Sequence, residues 1–229
     1  MRERATAIAV ALGLAMAGLA CSTGESRVVD QYFNALRAND TNTLTSFAMV
    51  AFDQKVDNWK VVSVGPETRG PAPLPDLVKK HKDVDAEQKK NERDYRAWGN
   101  DLAVYPKLQQ VLDIESKNGK IPPALVPIHD KYKTFNDRNR ELKKAVADAK
   151  AAVEKEKRNV TLSVSSMGQI EDVENLSGEM ISKDVDVALT IGGQVKPYVM
   201  TLRKYELAGG EKGPRMVSRW VIESIAPKG

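Results

Sequence analysis

A seven-residue register runs through the middle of the chain and constrains the fold more than any other feature. Leu77, Val84, Asn91, Trp98, Tyr105 and Leu112 recur every seven residues, with His81, Gln88, Tyr95, Leu102 and Gln109 four places on. A second run carries Leu125, Tyr132, Asn139, Val146 and Val153, with Ile128, Phe135, Leu142 and Ala149 between them. A period of 3.5 is the mark of helices packed along a narrow seam. Asn118-Gly119-Lys120-Ile121-Pro122-Pro123 separates the runs. Glycine ends a helix there and proline opens the next, which predicts an antiparallel helical hairpin. Arms of about 36–42 residues would reach roughly 50–60 Å. Pro106, with Gly99 before it, should kink or split the first arm. Asn91, Gln88, Gln109 and Asn139 make the seam impure, so the expected hairpin is moderately stable or has a partner.

The flanks read differently. Val28, Val29, Tyr32, Phe33 and Leu36 share one helical face, with Ser26 as N-cap. Asn39-Asp40 breaks that helix, and Thr41 or Thr43 caps a shorter one through Leu44, Phe47 and Val50. Residues 55–65 read as a strand. Four prolines between Pro66 and Pro75 mark a boundary. After the hairpin, residues 160–165 and 184–191 alternate as strands do. Gly192-Gly193 signals a tight turn, and residues 195–207 and 216–225 supply two more strands. The expected fold class is α+β: an antiparallel curved sheet packed on N-terminal helices, with an inserted coiled-coil-like helical hairpin.

Arg2 and Arg4 precede an uncharged run from Ala5 to Ala20. That run is short for a membrane span and fits a secretory signal. It ends Ala17-Gly18-Leu19-Ala20-Cys21, which resembles a bacterial lipobox, although Gly18 stands where the usual pattern has leucine. The resemblance implies a diacylglycerol on the Cys21 sulfur and cleavage before it. The alternative is an ordinary signal peptide cut after Ala20. Cys21 is the only cysteine in the chain, so a monomer forms no disulfide, and acylation explains a lone thiol at that place. Ser22 after the cysteine resembles the outer-membrane sorting class. The expected address is the bacterial cell envelope, lipid-anchored to the outer membrane and facing the periplasm.

Val28 to Asp40, followed by Leu44 and Phe47, resembles the opening of nuclear transport factor 2-like (cystatin-like) domains. Trp220-Val221-Ile222-Glu223-Ser224-Ile225 resembles their closing strand. The resemblance implies a curved sheet wrapped into a cone over helices. Domains are then expected at 1–20 (signal peptide), 21–26 (lipidated tether), 27–65 with 159–229 (sheet domain) and 66–158 (hairpin insertion). Tyr32, Phe33, Trp59 and Trp220 could line a cone cavity or fill its core.

Signs of chemistry are few. The two histidines, His81 and His129, fall in the helical segment, and Asp130 beside His129 does not face it as an orienting partner. Asp184 and Asp186 share a strand face and read as solvated. No catalytic, metal-binding or cofactor-binding residue can be assigned. Ketosteroid isomerases in the resembled superfamily use an acidic base inside the cone, and no carboxylate here takes that role from sequence. Residues 76–158 hold 20 Lys and Arg against 15 Asp and Glu. Lys79, Lys80, Lys82, Lys89, Lys90, Lys143, Lys144, Lys155 and Lys157 cluster toward the sheet end of the hairpin, a solvated face or a patch for anionic headgroups. Net charge is too mild for nucleic acid. The expected function is a non-enzymatic envelope binding or adaptor module. Its hairpin would be the arm for a protein partner or homo-oligomer. Alternatives are a small-molecule binder or enzyme using the cone, and a structural spacer.

Overall fold

The computed structural model describes residues 24–164, 172–209 and 215–229. The chain mixes α and β structure: a curled antiparallel sheet, shaped as a half-barrel, and a long helix. Helix α1 spans Gly24–Arg37 and α2 spans Thr41–Phe47. Asn39 ends α1 in the left-handed conformation (φ 54°). Asn39 N–H then donates to Leu36 O and Asp40 N–H to Ala35 O, the paired bonds that satisfy a helix end. Asp40, not Thr41 or Thr43, caps α2, because its carboxylate is the one that reaches Thr43 N, at 3.0 Å.

Strand β1 is Asn58–Val64 and β2 is Thr68–Pro71. The proline-rich boundary therefore holds a short strand. It is an edge strand, pairing only with β3 (Leu176–Ile191), where Pro71 has no ladder donor to lose on its free side. Strand β4 (Gln194–Gly209) returns from β3 in unbroken register through Gly192 and Gly193. Both glycines have positive φ (58° and 78°), as a two-residue primed turn requires. β5 (Arg215–Val217) and β6 (Val221–Pro227) both pair with β4. The single last strand expected over 216–225 is thus two pieces, divided at 218–220.

Helix α3 is Leu74–Gly99, α4 is Tyr105–Ser116 and α5 is Val126–Val164. Pro106 lies in the first turn of α4, where a missing N–H is harmless, and the chain breaks at 100–104 rather than bending. Leu102, expected in the seam, falls in that break and is 94% exposed. Asn118, not Gly119, takes the left-handed position that ends α4. The strand expected at 160–165 is helix as far as the described residues go, since α5 continues to Val164. Its burial has helical spacing: Val160 with Val164, and Asn159 with Ser163, are buried one turn apart.

Two cores lie on opposite faces of the sheet. Val185, Val187 and Leu189 of β3, with Tyr198, Met200 and Leu202 of β4, meet Val29, Tyr32 and Phe33 of α1 and Phe47 of α2. The intervening side chains point the other way. There Leu176, Tyr205 and Leu207 meet Leu74 of α3 and Val153, Val160 and Val164 of α5.

Candidate interaction surface

Of the four residues expected to line or fill a cone, Tyr32 and Phe33 lie in the first core, and Trp59 and Trp220 pack partly buried against it. Tyr32 and Phe33 are fully buried and edge-on to each other at 5.2 Å. The Tyr32 hydroxyl donates to Val50 O at 3.1 Å, and burial holds its pKa above the ordinary range. Trp59 is half-buried at the rim of this core. Its ring lies 5.4 Å from Phe33, its Nε1 donates to Asp30 at 2.9 Å, and Arg37 covers it at 5.1 Å. A cleft of about 560 Å³ opens beside it, outside the filled core, between Leu36, Arg37, Phe52, Asp53 and Lys55.

Trp220 is half-buried against the far end of the same sheet face. Lys204 Nζ lies 4.5 Å and Lys183 Nζ 5.6 Å from its ring centre. Lys183 donates to Glu25 at 2.6 Å and lies 3.5 Å from Glu67. Glu67 also faces Lys204 and Arg69. This charged lattice holds the first turn of α1 to β3. The hydrogen bond that Lys183 donates to Glu25 raises the Lys183 pKa above its ordinary value, against the opposing effect of burial.

α3 and α5 run antiparallel, as their cross-contacts show. Arg138 bonds Glu87, and Asn91 Nδ2 donates to Phe135 O at 3.4 Å. Farther from the sheet an aromatic belt forms: Tyr95 lies 6.3 Å from Tyr132 and 5.7 Å from Phe135, and Trp98 lies 5.5 Å from Phe135. All four rings are half-buried, and Lys131 covers Trp98 at 5.4 Å. Burial, and then the neighbouring Tyr132, raise the Tyr95 pKa. α4 closes over this end, with Leu108 and Val111 buried beneath it. Leu102 and Tyr105 stay exposed beside the belt. Replacing Trp98 by alanine removes a half-buried ring from the belt. About 2 kcal/mol of local stability should go with it, roughly half the cost at a fully buried site. Hydrogen exchange should quicken in the middle of α3 and α5 and stay unchanged in the sheet.

The root of α5 is joined to the sheet by a buried polar network that sequence reading missed. Glu156 accepts from Arg203 Nη1 at 3.1 Å and from the Tyr205 hydroxyl at 2.7 Å. Arg203 also reaches Glu223 at 2.6 Å. Glu223 is the extra residue where β6 shifts register against β4, and such a bulge re-aims a side chain. Burial, with the Glu156 carboxylate beside it, pushes the Tyr205 pKa strongly upward. Ser163 Oγ lies 2.5 Å from Ser218 Oγ and 2.6 Å from Arg219 O. Among the described residues, Asn159 Oδ1 and Arg203 Nε have no hydrogen-bond partner in this network.

The histidines do not converge on these groups. His129 Nε2 pairs with Glu115 at 2.9 Å, and its Nδ1 comes within 3.4 Å of Asp130. The helix backbone therefore lets Asp130 approach the ring more closely than sequence adjacency suggested. Asp184 bonds Thr201, and Asp186 bonds Ser63 and Lys228, so each carboxylate has its own partner. Several lysines of the expected basic patch are already paired: Lys79 with Asp83, Lys89 with Asp85, Lys157 with Glu174. Among the described residues no group of three His, Cys, Asp or Glu could hold a metal ion, and no helix is long and apolar enough to cross a membrane. Cys21 lies outside the described residues. No family model, curated protein or solved structure matches the chain.

Proposed function

We propose that this chain is a lipid-anchored protein of the bacterial envelope, held at the outer membrane through Cys21 and facing the periplasm. It serves as a non-enzymatic binding or adaptor module. α3, α4 and α5 form an inserted helical hairpin that acts as the arm for a protein partner or a second copy. The observation that carries this reading is the half-buried aromatic belt far from the sheet, flanked by exposed Leu102 and Tyr105. Half-buried aromatics on a helical surface suit helix-to-helix recognition. The Glu156 network supports it by fixing the arm to the body, so that contact at the belt is felt at the sheet. The nuclear transport factor 2-like reading of the body rests on helices packed under a curled sheet. For a small molecule, the cleft near Phe52 is the roomiest of the surface clefts described.

The arm expected over 66–158 needs a revised cut. Leu74, Val153 and Glu156 belong to the sheet's second core and its network, so removing all of them would strip the body. Deleting residues 84–143 and closing the gap with a turn of about four residues spares that joint. In the full-length protein, photo-reactive residues at 102 and 105 should crosslink a partner, while the shortened protein, carrying its photo-reactive residue in the sheet body at exposed position 195, is expected to keep a cooperative unfolding transition and capture none. Complete loss of fold would reject the modular picture, and a partner still captured by the shortened body would reject the arm as the contact. Cys21→Ser should move the protein from the membrane to the soluble fraction.

A further inference from the structure

We infer that the surface around Glu25, bearing Glu67, Arg69, Lys183, Lys204 and Trp220, is the face that lies on the lipid headgroups. The inference rests on the reading of Cys21 as the acylated residue and adds an orientation to it. Helix α1 begins at Gly24. The three residues 21–23 span at most about 10 Å even when fully extended. The first turn of α1 is fixed, because Glu25 is buried and bonds Lys183 in the body of β3 at 2.6 Å. A tether this short, ending on a turn held this firmly, leaves the body little choice of which side it turns to the bilayer.

The chemistry of that side suits an interface. Trp220 offers an indole between two ammonium groups, and tryptophan favours the headgroup level. Half-exposed Arg69 can meet a phosphate, with the mostly buried Lys183 and Lys204 set behind it. Glu25, Glu67 and Glu206 neutralise them, so the lattice fits zwitterionic headgroups rather than a strongly anionic surface. The far end of α1 and the β3–β4 turn lie away from this side. Arg37, at the other end of α1, lies over Trp59, which pairs with Leu189. The Gly192–Gly193 turn lies roughly 30 Å along β3 from Lys183.

Once Cys21 is acylated, an introduced cysteine is the chain's only free thiol. A spin label can then be placed on exposed Arg27→Cys in the first turns of α1, or on exposed Val195→Cys beside the distant turn. The acylated full-length protein would be reconstituted in phosphatidylethanolamine–phosphatidylcholine vesicles carrying a nickel-chelating lipid. Relaxation by nickel should be several-fold stronger at position 27 than at 195, and unchanged when phosphatidylglycerol replaces part of the zwitterionic lipid. Equal or reversed relaxation in a protein whose intact mass shows the acyl chains would overturn the orientation alone. A several-fold gain with phosphatidylglycerol would overturn the zwitterionic assignment. An unmodified Cys21 in the same mass spectrum would remove the anchor, and the orientation with it.

Discussion

Glu156→Ala is expected to lower folding stability by roughly 3–5 kcal/mol, or about 6–20 °C in Tm for a chain of this size. The carboxylate is almost fully buried, and its main partner, Arg203, is 17% exposed, so water screens the pair little. Alanine would leave the Arg203 guanidinium with Glu223 alone and strip the acceptor from the buried Tyr205 hydroxyl. A buried charge that loses its partner costs far more than the pair contributed. Glu156→Gln keeps an acceptor for Tyr205 and gives up only the charge, so it should fall between the parent and alanine. Urea unfolding of the three proteins measures the ladder. A loss below about 1 kcal/mol for alanine would mean that apolar packing around Val153 and Val160, not the network, joins the long helix to the sheet.

That network was illegible in the sequence for a simple reason. Glu156 and Tyr205 are 49 positions apart, and Lys183 and Glu25 are 158 apart. Neither spacing leaves a local mark, and a glutamate in a lysine-rich helix looks like one more solvated charge. The helical register was legible because its signal is local and repeated, and it led to α3 and α5. It failed at Leu102, where Pro106 forces a new helix start and resets the phase. The end of α5 was misread because Val160, Leu162 and Val164 alternate as a strand would, while Val160 and Val164 also stand one helical turn apart. Four buried residues at helical spacing, including two polar ones, outweighed the alternation once a sheet lay beneath them. Tyr32 and Phe33 were legible as interior side chains. Trp220 was read with them as cavity or core lining, and its two lysine neighbours left no mark in the sequence. The two glycines of the β3–β4 turn could be read directly, because the turn requires their conformation.

Gly178 sits in the strand opposite that network, and its replacement should be at least as damaging. Its φ is +149°, a value that side-chain-bearing residues rarely adopt, and an added Cβ would lie 2.1 Å from Glu206 O and 3.0 Å from Leu207 Cα. Both obstacles are backbone atoms of β4, so no rotamer change relieves them. Gly178 O also accepts from Ala72 N at 2.8 Å, which brings the approach to α3 to this point. Gly178→Ala must therefore push β3 and β4 apart where Leu176 and Leu207 enter the second core. The expected loss exceeds about 3 kcal/mol, the sum of a strained backbone and an overpacked contact. Gly70→Ala, with open space around it and no positive φ, should change little, and Gly192→Ala, with positive φ and open space, should cost about 1 kcal/mol. That ordering separates steric overlap from backbone strain. If Gly178→Ala unfolds within about 1 kcal/mol of the parent, the two strands do not approach as closely as their register requires. The arm would then have to be held by α5 alone, and Glu156→Ala should become the more damaging change.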